Sequence, residues 1–207
     1  AGQTLASLGF TEEVKPPHFC VKAPVMPFIK FPGTDTVLGP EMRSTGEVMG
    51  LDHDLGHAYA KAQMATNSSL PLGGNLFVSV KDSDKKAIIP IVRDFVELGF
   101  KLFATSGTAA VLREVGITVT QLNKLSEGHP NVLDMIKSGE MHLSINTPSG
   151  KQPRRDEIII RSAAVAHGVP TITVLRAAIA SVAAIRSMQA GPFEVCSIQE
   201  FHASLKK

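Results

Sequence analysis

With 207 residues, the chain can form one large domain, or one domain with part of another. Hydrophobic residues make up 43% and charged residues 19%, which suits a globular protein with a substantial core. The net charge of +2 excludes a nucleic-acid or membrane surface that acts through bulk charge, so an anionic partner would need a local site.

In chain order, the first residues, Ala1-Gly2-Gln3-Thr4-Leu5-Ala6, carry neither an initiator Met nor a basic-then-apolar leader, which reads as a cut inside a longer polypeptide. Pro16, Pro17 and Pro24, followed by Phe31-Pro32-Gly33, are turn and edge signals. The run from Glu41 to Gly50 suits a short strand and a loop. Leu55, Tyr59, Ala62 and Gln63 predict a helix from Gly56 to Met64, with Asp54 as its N-cap. Asp52, His53, Asp54 and His57 invite a metal reading, but zinc needs three or four converging ligands, and a polar helix start is the simpler account. So few regular elements in residues 1–65 bury too little surface to stand alone, and this piece is expected to complete something upstream.

Residues 66–74, rich in small residues and proline, form the boundary, and a regular pattern begins at residue 75. Leu76 to Val80 is a short apolar strand. Ile88, Val92, Phe95 and Val96 recur at helical spacing and stop at Leu98-Gly99. Strands then follow at Phe100–Ala104, Ile117–Gln121, His142–Ile145 and Pro170–Val174. The intervening helices are Thr108–Glu114, Asn131–Lys137, Arg155–His167 and Ala177–Met188. Alternation through short loops gives an α/β fold: a mostly parallel, Rossmann-like sheet flanked by helices. Cys20 and Cys196 are isolated and read as reduced thiols of a cytoplasmic protein. No apolar run approaches the ~18 residues of a membrane span.

In such sheets ligands sit at the carboxyl ends of the strands. Four loops meet that description: Ser79 to Lys85, Thr105 to Thr108, Asn123-Lys124, and Asn146 to Lys151. A phosphate needs several N–H or O–H donors and compensating positive charge, and a small-residue turn opening a helix supplies backbone donors with a favourable dipole. Thr105, Gly107 and Thr108, joined by Lys85 and Lys124, meet both needs, while Asn146 and the turn after it suit a sugar or base. Any one such loop is an ordinary helix start; four on one sheet edge make a candidate site. Asp156-Glu157 beside Arg154 and Arg155 reads as a solvated helix start.

At these residues a family becomes recognisable. Phe31-Pro32-Gly33, the run from Leu38 to Gly50 with Pro40-Glu41-Met42-Arg43-Ser44-Thr45-Gly46-Glu47 at its centre, and Ala60-Lys61-Ala62-Gln63 resemble the end of the second ATP-grasp unit of carbamoyl-phosphate synthase large subunits. From about Asn75 onward the chain resembles the methylglyoxal-synthase-like allosteric domain that follows that unit. The resemblance implies an ATP-grasp tail at 1–65, a linker at 66–74 and the allosteric domain at 75–207. It also implies regulation by a nucleotide such as UMP or IMP. The phosphate would rest on Lys85, Thr105, Gly107, Thr108 and Lys124, and Ser79, Asn146, Thr147, Ser149 and Gly150 would line the remainder.

The implied parent is a cytoplasmic, glutamine-hydrolysing, ATP-dependent ligase that makes carbamoyl phosphate for pyrimidine and arginine synthesis. It uses ATP and Mg²⁺ and works with the rest of the large subunit and a glutaminase small subunit. Carboxylates that hold Mg²⁺ against ATP lie upstream in that family, so this piece is expected to carry no catalytic residue, cofactor or metal. Neither nucleic acid nor membrane is implied, and a homo-oligomer is compatible.

Against the family pattern, Pro148 replaces a threonine on the ribose side, Pro90 enters the helix that Lys85 opens, and Ala23 stands where a glutamate serves an ornithine site that Thr173 otherwise matches. Two alternatives stay open. A free-standing methylglyoxal synthase-type lyase needs carboxylates beside the phosphate, and the corresponding positions fall near His129 and Thr147, neither acidic. A pure oligomerisation module would bind no ligand.

Overall fold

A computed structural model describes residues 2–13, 15–25, 28, 36–37, 46–149 and 155–205. Most of the motif between Phe31 and Thr45 lies outside the described residues, as do Gly150, Lys151 and Arg154.

The first part of the chain is built on close backbone approach. Strands β1 (Phe19–Pro24) and β2 (Glu47–Asp52) pair antiparallel, with Val21 opposite Gly50. The prolines before and at the end of β1 suit a strand in a two-stranded sheet, where backbone N–H groups on the outer side need no ladder partner. Helix α1 (Leu55–Ala65) starts as the sequence predicts, the Asp54 carboxylate accepting the His57 N–H at 2.8 Å. Its buried residues are Gly56, Ala58, Ala60 and Ala62, and these small residues allow close approach on two sides, by β2 against Ala58 and Ala62 and by Ala183 and Ser187 against Gly56. A Cβ on Gly50 would stand 1.9 Å from the Ala58 carbonyl oxygen, which shows how near β2 comes to α1.

The second part is a five-stranded sheet: β3 (Gly74–Ser79), β4 (Phe100–Thr105), β5 (Thr120–Leu122), β6 (Leu143–Asn146) and β7 (Thr171–Ile172). Its order is β5-β4-β3-β6-β7 and every pairing is parallel. The chain winds from β3 outward to β5, then returns to the other side of β3 as β6. The strand order therefore reverses between β3 and β6, where Ser79 and Asn146 are paired. That reversal opens a crevice at the carboxyl ends.

Successive side chains point to opposite faces, so Leu76 and Val78 enter one core while Phe77 enters the other. The first core is closed by α2 (Lys85–Glu97), α3 (Ser106–Glu114) and α6 (Leu175–Ala190). The second is closed by α4 (Val132–Lys137) and α5 (Arg155–Ala166). Helix α2 buries Ile88, Ile91, Val92 and Phe95, while Val96 points outward, contrary to the sequence reading. It accommodates Pro90 without ending, at the loss of one helical N–H donor.

Helix α1 lies along α6. A Cβ on Gly56 would meet the Ala183 carbonyl oxygen at 2.6 Å, and the Ser187 hydroxyl donates to the Asp54 carboxylate. Beyond α6 a short helix, α7 (Ile198–Ser204), returns the chain to the first part, with Phe201 stacked on His53 at 4.9 Å and edge-on to His18 at 5.2 Å. Among the described residues no helix is long and apolar enough to cross a membrane.

Candidate functional site

The loops after β3, β4, β5 and β6 surround a cavity of about 530 Å³. Its walls include Ser79, Lys85, Thr105, Gly107, Thr108, Lys124, Asn146, Thr147 and Ser149, which are nine of the ten residues singled out in the sequence. The tenth, Gly150, lies outside the described residues.

Helix α3 begins directly at the end of β4, so its first backbone N–H groups have no helical acceptors and face the crevice. Thr105 stands at the N-cap position without a side-chain cap bond. Its Oγ1 lies 3.3 Å from the Ser79 hydroxyl on the neighbouring strand. The Lys85 ammonium reaches over this helix start: a Cβ on Gly107 would be 3.1 Å from Nζ. A cation placed against the positive end of a helix dipole is unfavourable, and an anion between them relieves both. Lys85 pairs with the Asp82 carboxylate at 2.7 Å, whose side chain is 95% exposed and therefore weakly held. Lys124 enters from the β5 side, its own N–H fixed by Glu127 at 2.9 Å. Its ammonium is half exposed and 3.8 Å from the same carboxylate.

Two of the threonines hold the frame. Thr108 and Thr147 are almost fully buried, and their hydroxyl oxygens accept the N–H groups of Val80 at 3.4 Å and Lys81 at 3.0 Å. They thereby fix the path of the loop that leaves β3. The Thr147 N–H in turn donates to the Ser79 carbonyl at 3.2 Å, which closes β6 against β3.

Glu157 is not a solvated helix-start residue: its carboxylate accepts the Ser149 hydroxyl and, at 3.2 Å, the Ser149 N–H, and it lines the cavity with Asp156. Arg161, one turn further along α5, went unnoticed in the sequence. It has no exposed surface, donates Nη1 to Asn146 Oδ1 at 2.7 Å, and lies 3.8 Å from Glu157. The available signal was a charged pair four residues apart flanking Ile160, on a helix whose next inward residue is Ala164.

His129 is exposed and bonded through Nδ1 to Asp134 at 2.7 Å. That contact, with the Asn131 N–H, holds the Asp134 carboxyl below the usual carboxylate range. The His53–His57 region is likewise engaged locally: His53 stacks on Phe201, His57 packs edge-on to Phe193 at 5.9 Å, and Asp52 pairs with Lys61 at 2.7 Å. Among the described residues no three His, Cys, Asp or Glu side chains converge as a metal site requires.

Residues 87–173 match the family of the MGS-like domain. The carbamoyl phosphate synthase large chain of Nostoc sp. strain PCC 7120 is 53% identical over 201 residues, which is 97% of this chain and 18% of that protein. The chain matches the C-terminal, MGS-like region of carbamoyl phosphate synthase large chains. That of Synechocystis sp. strain PCC 6803 is 50% identical over 97% of this chain and 19% of its own length. A large chain from Methanosarcina barkeri is 44% identical over the whole of this chain and 52% of that protein. The chain thus spans about a fifth of the first two relatives.

Proposed function

We propose that the cavity is an effector site for a nucleoside monophosphate, and that the chain is the regulatory region of a glutamine-hydrolysing carbamoyl phosphate synthase. The observation that carries this reading is the Lys85 ammonium held over the bare N-terminus of α3, with Lys124 on the same cavity. The phosphate of UMP or IMP would sit between these groups. Ser79, Asn146, Thr147, Ser149 and Gly150 would receive the nucleoside. A volume of about 530 Å³ accommodates a ligand of that size.

Regulation would run through packing. Residues 1–65, as the tail of an ATP-grasp unit, meet the allosteric domain where α1 lies on α6, and α6 also closes the core behind β3. Ligand binding at the strand ends would bias that contact and so the upstream ATP site, with a coupling of typically ~1–3 kcal/mol. ATP and Mg²⁺ would serve the longer enzyme, together with the glutaminase partner. We place that chemistry in the rest of the longer enzyme, of whose length this chain spans about a fifth.

A lyase acting on a small phosphorylated ketone is the second reading, favoured by Asp156 and Glu157 on the cavity wall. Glu157 is already engaged by Ser149 and Arg161, which suits a structural carboxylate better than a proton carrier. Titration calorimetry with UMP and IMP, beside an assay of dihydroxyacetone phosphate turnover, separates the two. Saturable nucleotide binding without turnover is the expected result; turnover without nucleotide binding would overturn the effector reading.

A further inference from the structure

A guanidinium removed from water as fully as that of Arg161 persists only where acceptors surround it. Its acceptors include Asn146 Oδ1, 2.7 Å from Nη1, and the Glu157 carboxylate at 3.8 Å. Arginine carries donors and no acceptor, so the carboxamide edge of Asn146 that meets it must be the oxygen. Chemistry alone therefore settles which way this amide is turned. The opposite edge is Nδ2, with two N–H donors. Asn146 ends β6 at the switch point, opposite Ser79, and lines the cavity. Among the described residues the one side-chain hydrogen bond of Asn146 is that from Arg161.

We infer that Arg161 is a positioning residue that sets what the cavity accepts: by holding Asn146 Oδ1 it commits Nδ2 to the ligand, which must present a hydrogen-bond acceptor beside the end of β6. An asparagine free to flip would take a donor or an acceptor equally. With Arg161 behind it, a carbonyl or hydroxyl oxygen or a ring nitrogen is matched, and a bare N–H is rejected because two donors would face each other. This deepens the nucleotide reading and depends on it for the ligand, while the orientation of the amide stands apart from it.

The experiment uses Asn146→Asp, Asn146→Ala, Arg161→Gln and the Asn146→Ala/Arg161→Gln pair in the 207-residue chain. Thermal unfolding is followed without ligand, and calorimetry is run with UMP, IMP and inorganic phosphate. Asn146→Asp keeps an acceptor for Arg161 and loses both donors, so it should unfold no lower than Asn146→Ala. Nucleotide affinity should fall at least about tenfold in both Asn146 variants, while the phosphate affinity of the uncharged Asn146→Ala should change by less than about twofold. Arg161→Gln should weaken nucleotide binding in the native background and add nothing in the Asn146→Ala background.

Native-like nucleotide binding by Asn146→Asp would overturn the inference, as would an equal Arg161→Gln effect in both backgrounds. If Arg161→Gln does not fold, the two Asn146 variants decide alone. If the unaltered chain binds neither nucleotide nor phosphate, the effector reading fails. The amide orientation is then judged by unfolding, and an Asn146→Asp less stable than Asn146→Ala refutes it.

Discussion

Gly107→Ala separates folding from binding at the proposed phosphate site. Gly107 is the second residue of α3, and its added Cβ would meet one neighbouring group, the end of the Lys85 side chain, at 3.1 Å. Lysine is flexible there, so the fold accommodates the methyl by moving the ammonium a few tenths of an ångström. Replacing glycine by alanine in a helix contributes up to about 1 kcal/mol of stability, less in the first turn. Binding should move the other way. The methyl occupies the gap between Lys85 and the α3 N–H groups where the phosphate would sit, and a charge-assisted hydrogen bond lost there is worth ~1.5–3 kcal/mol. That corresponds to roughly ten- to a hundredfold weaker nucleotide. Thermal unfolding and calorimetry on the same preparation read both effects. An alanine variant that binds UMP or IMP as tightly as the native chain would refute the placement of the phosphate between Lys85 and α3.

Three further outcomes are expected. Lys124→Ala should weaken nucleotide binding about tenfold, at the low end for a charged hydrogen bond because the ammonium is half exposed; unchanged calorimetry would remove Lys124 from the site. Gly50→Ala would drive a methyl to 1.9 Å from a carbonyl oxygen and 2.7 Å from a backbone nitrogen of α1, so the urea midpoint should fall by the equivalent of about 1–3 kcal/mol or more, whereas an unaltered midpoint would contradict the close packing of β2 on α1. Asp52 should contribute to acid lability. Burial raises its pKa, but bonds from Lys61 and the Asp54 N–H outweigh this and leave it below 3.8, while the His57 N–H and the Ser187 hydroxyl lower that of Asp54. Carboxyls depressed in the native state add stability above their unfolded value and lose it as pH falls through the lower folded value. Asp52→Asn should therefore flatten the acid limb of a stability–pH curve, and an identical limb would refute the assignment.

The sheet was legible because each strand is a short apolar run followed by a helix with a visible stop, as at Leu98-Gly99. The candidate cavity was legible because donors and lysines fall in loops that the parallel topology must bring to one edge. What escaped detection depends on distant partners. Residues 19–24 form a strand although Pro16 and Pro17 precede them and Pro24 ends them, because β2 supplies their pairing about 30 residues later. Helix α7 has too few residues for a periodic signal and is held by His18 and His53, far away in sequence. Glu157 and Arg161 look like surface charges on α5. Their burial follows from α5 closing the second core beside β6, which places Asn146 and Ser149 against them. The frame-holding roles of Thr108 and Thr147 are hidden in the same way, since their partners lie 28 and 66 residues away.

A crystal structure of the chain grown with saturating UMP or IMP tests the central claim most directly. Phosphate oxygens should lie within hydrogen-bond reach of the first α3 amides and of Lys85 and Lys124, with Lys85 drawn from Asp82. A nucleotide seated elsewhere, or a crevice left empty at saturation with Lys85 still paired to Asp82, would contradict it.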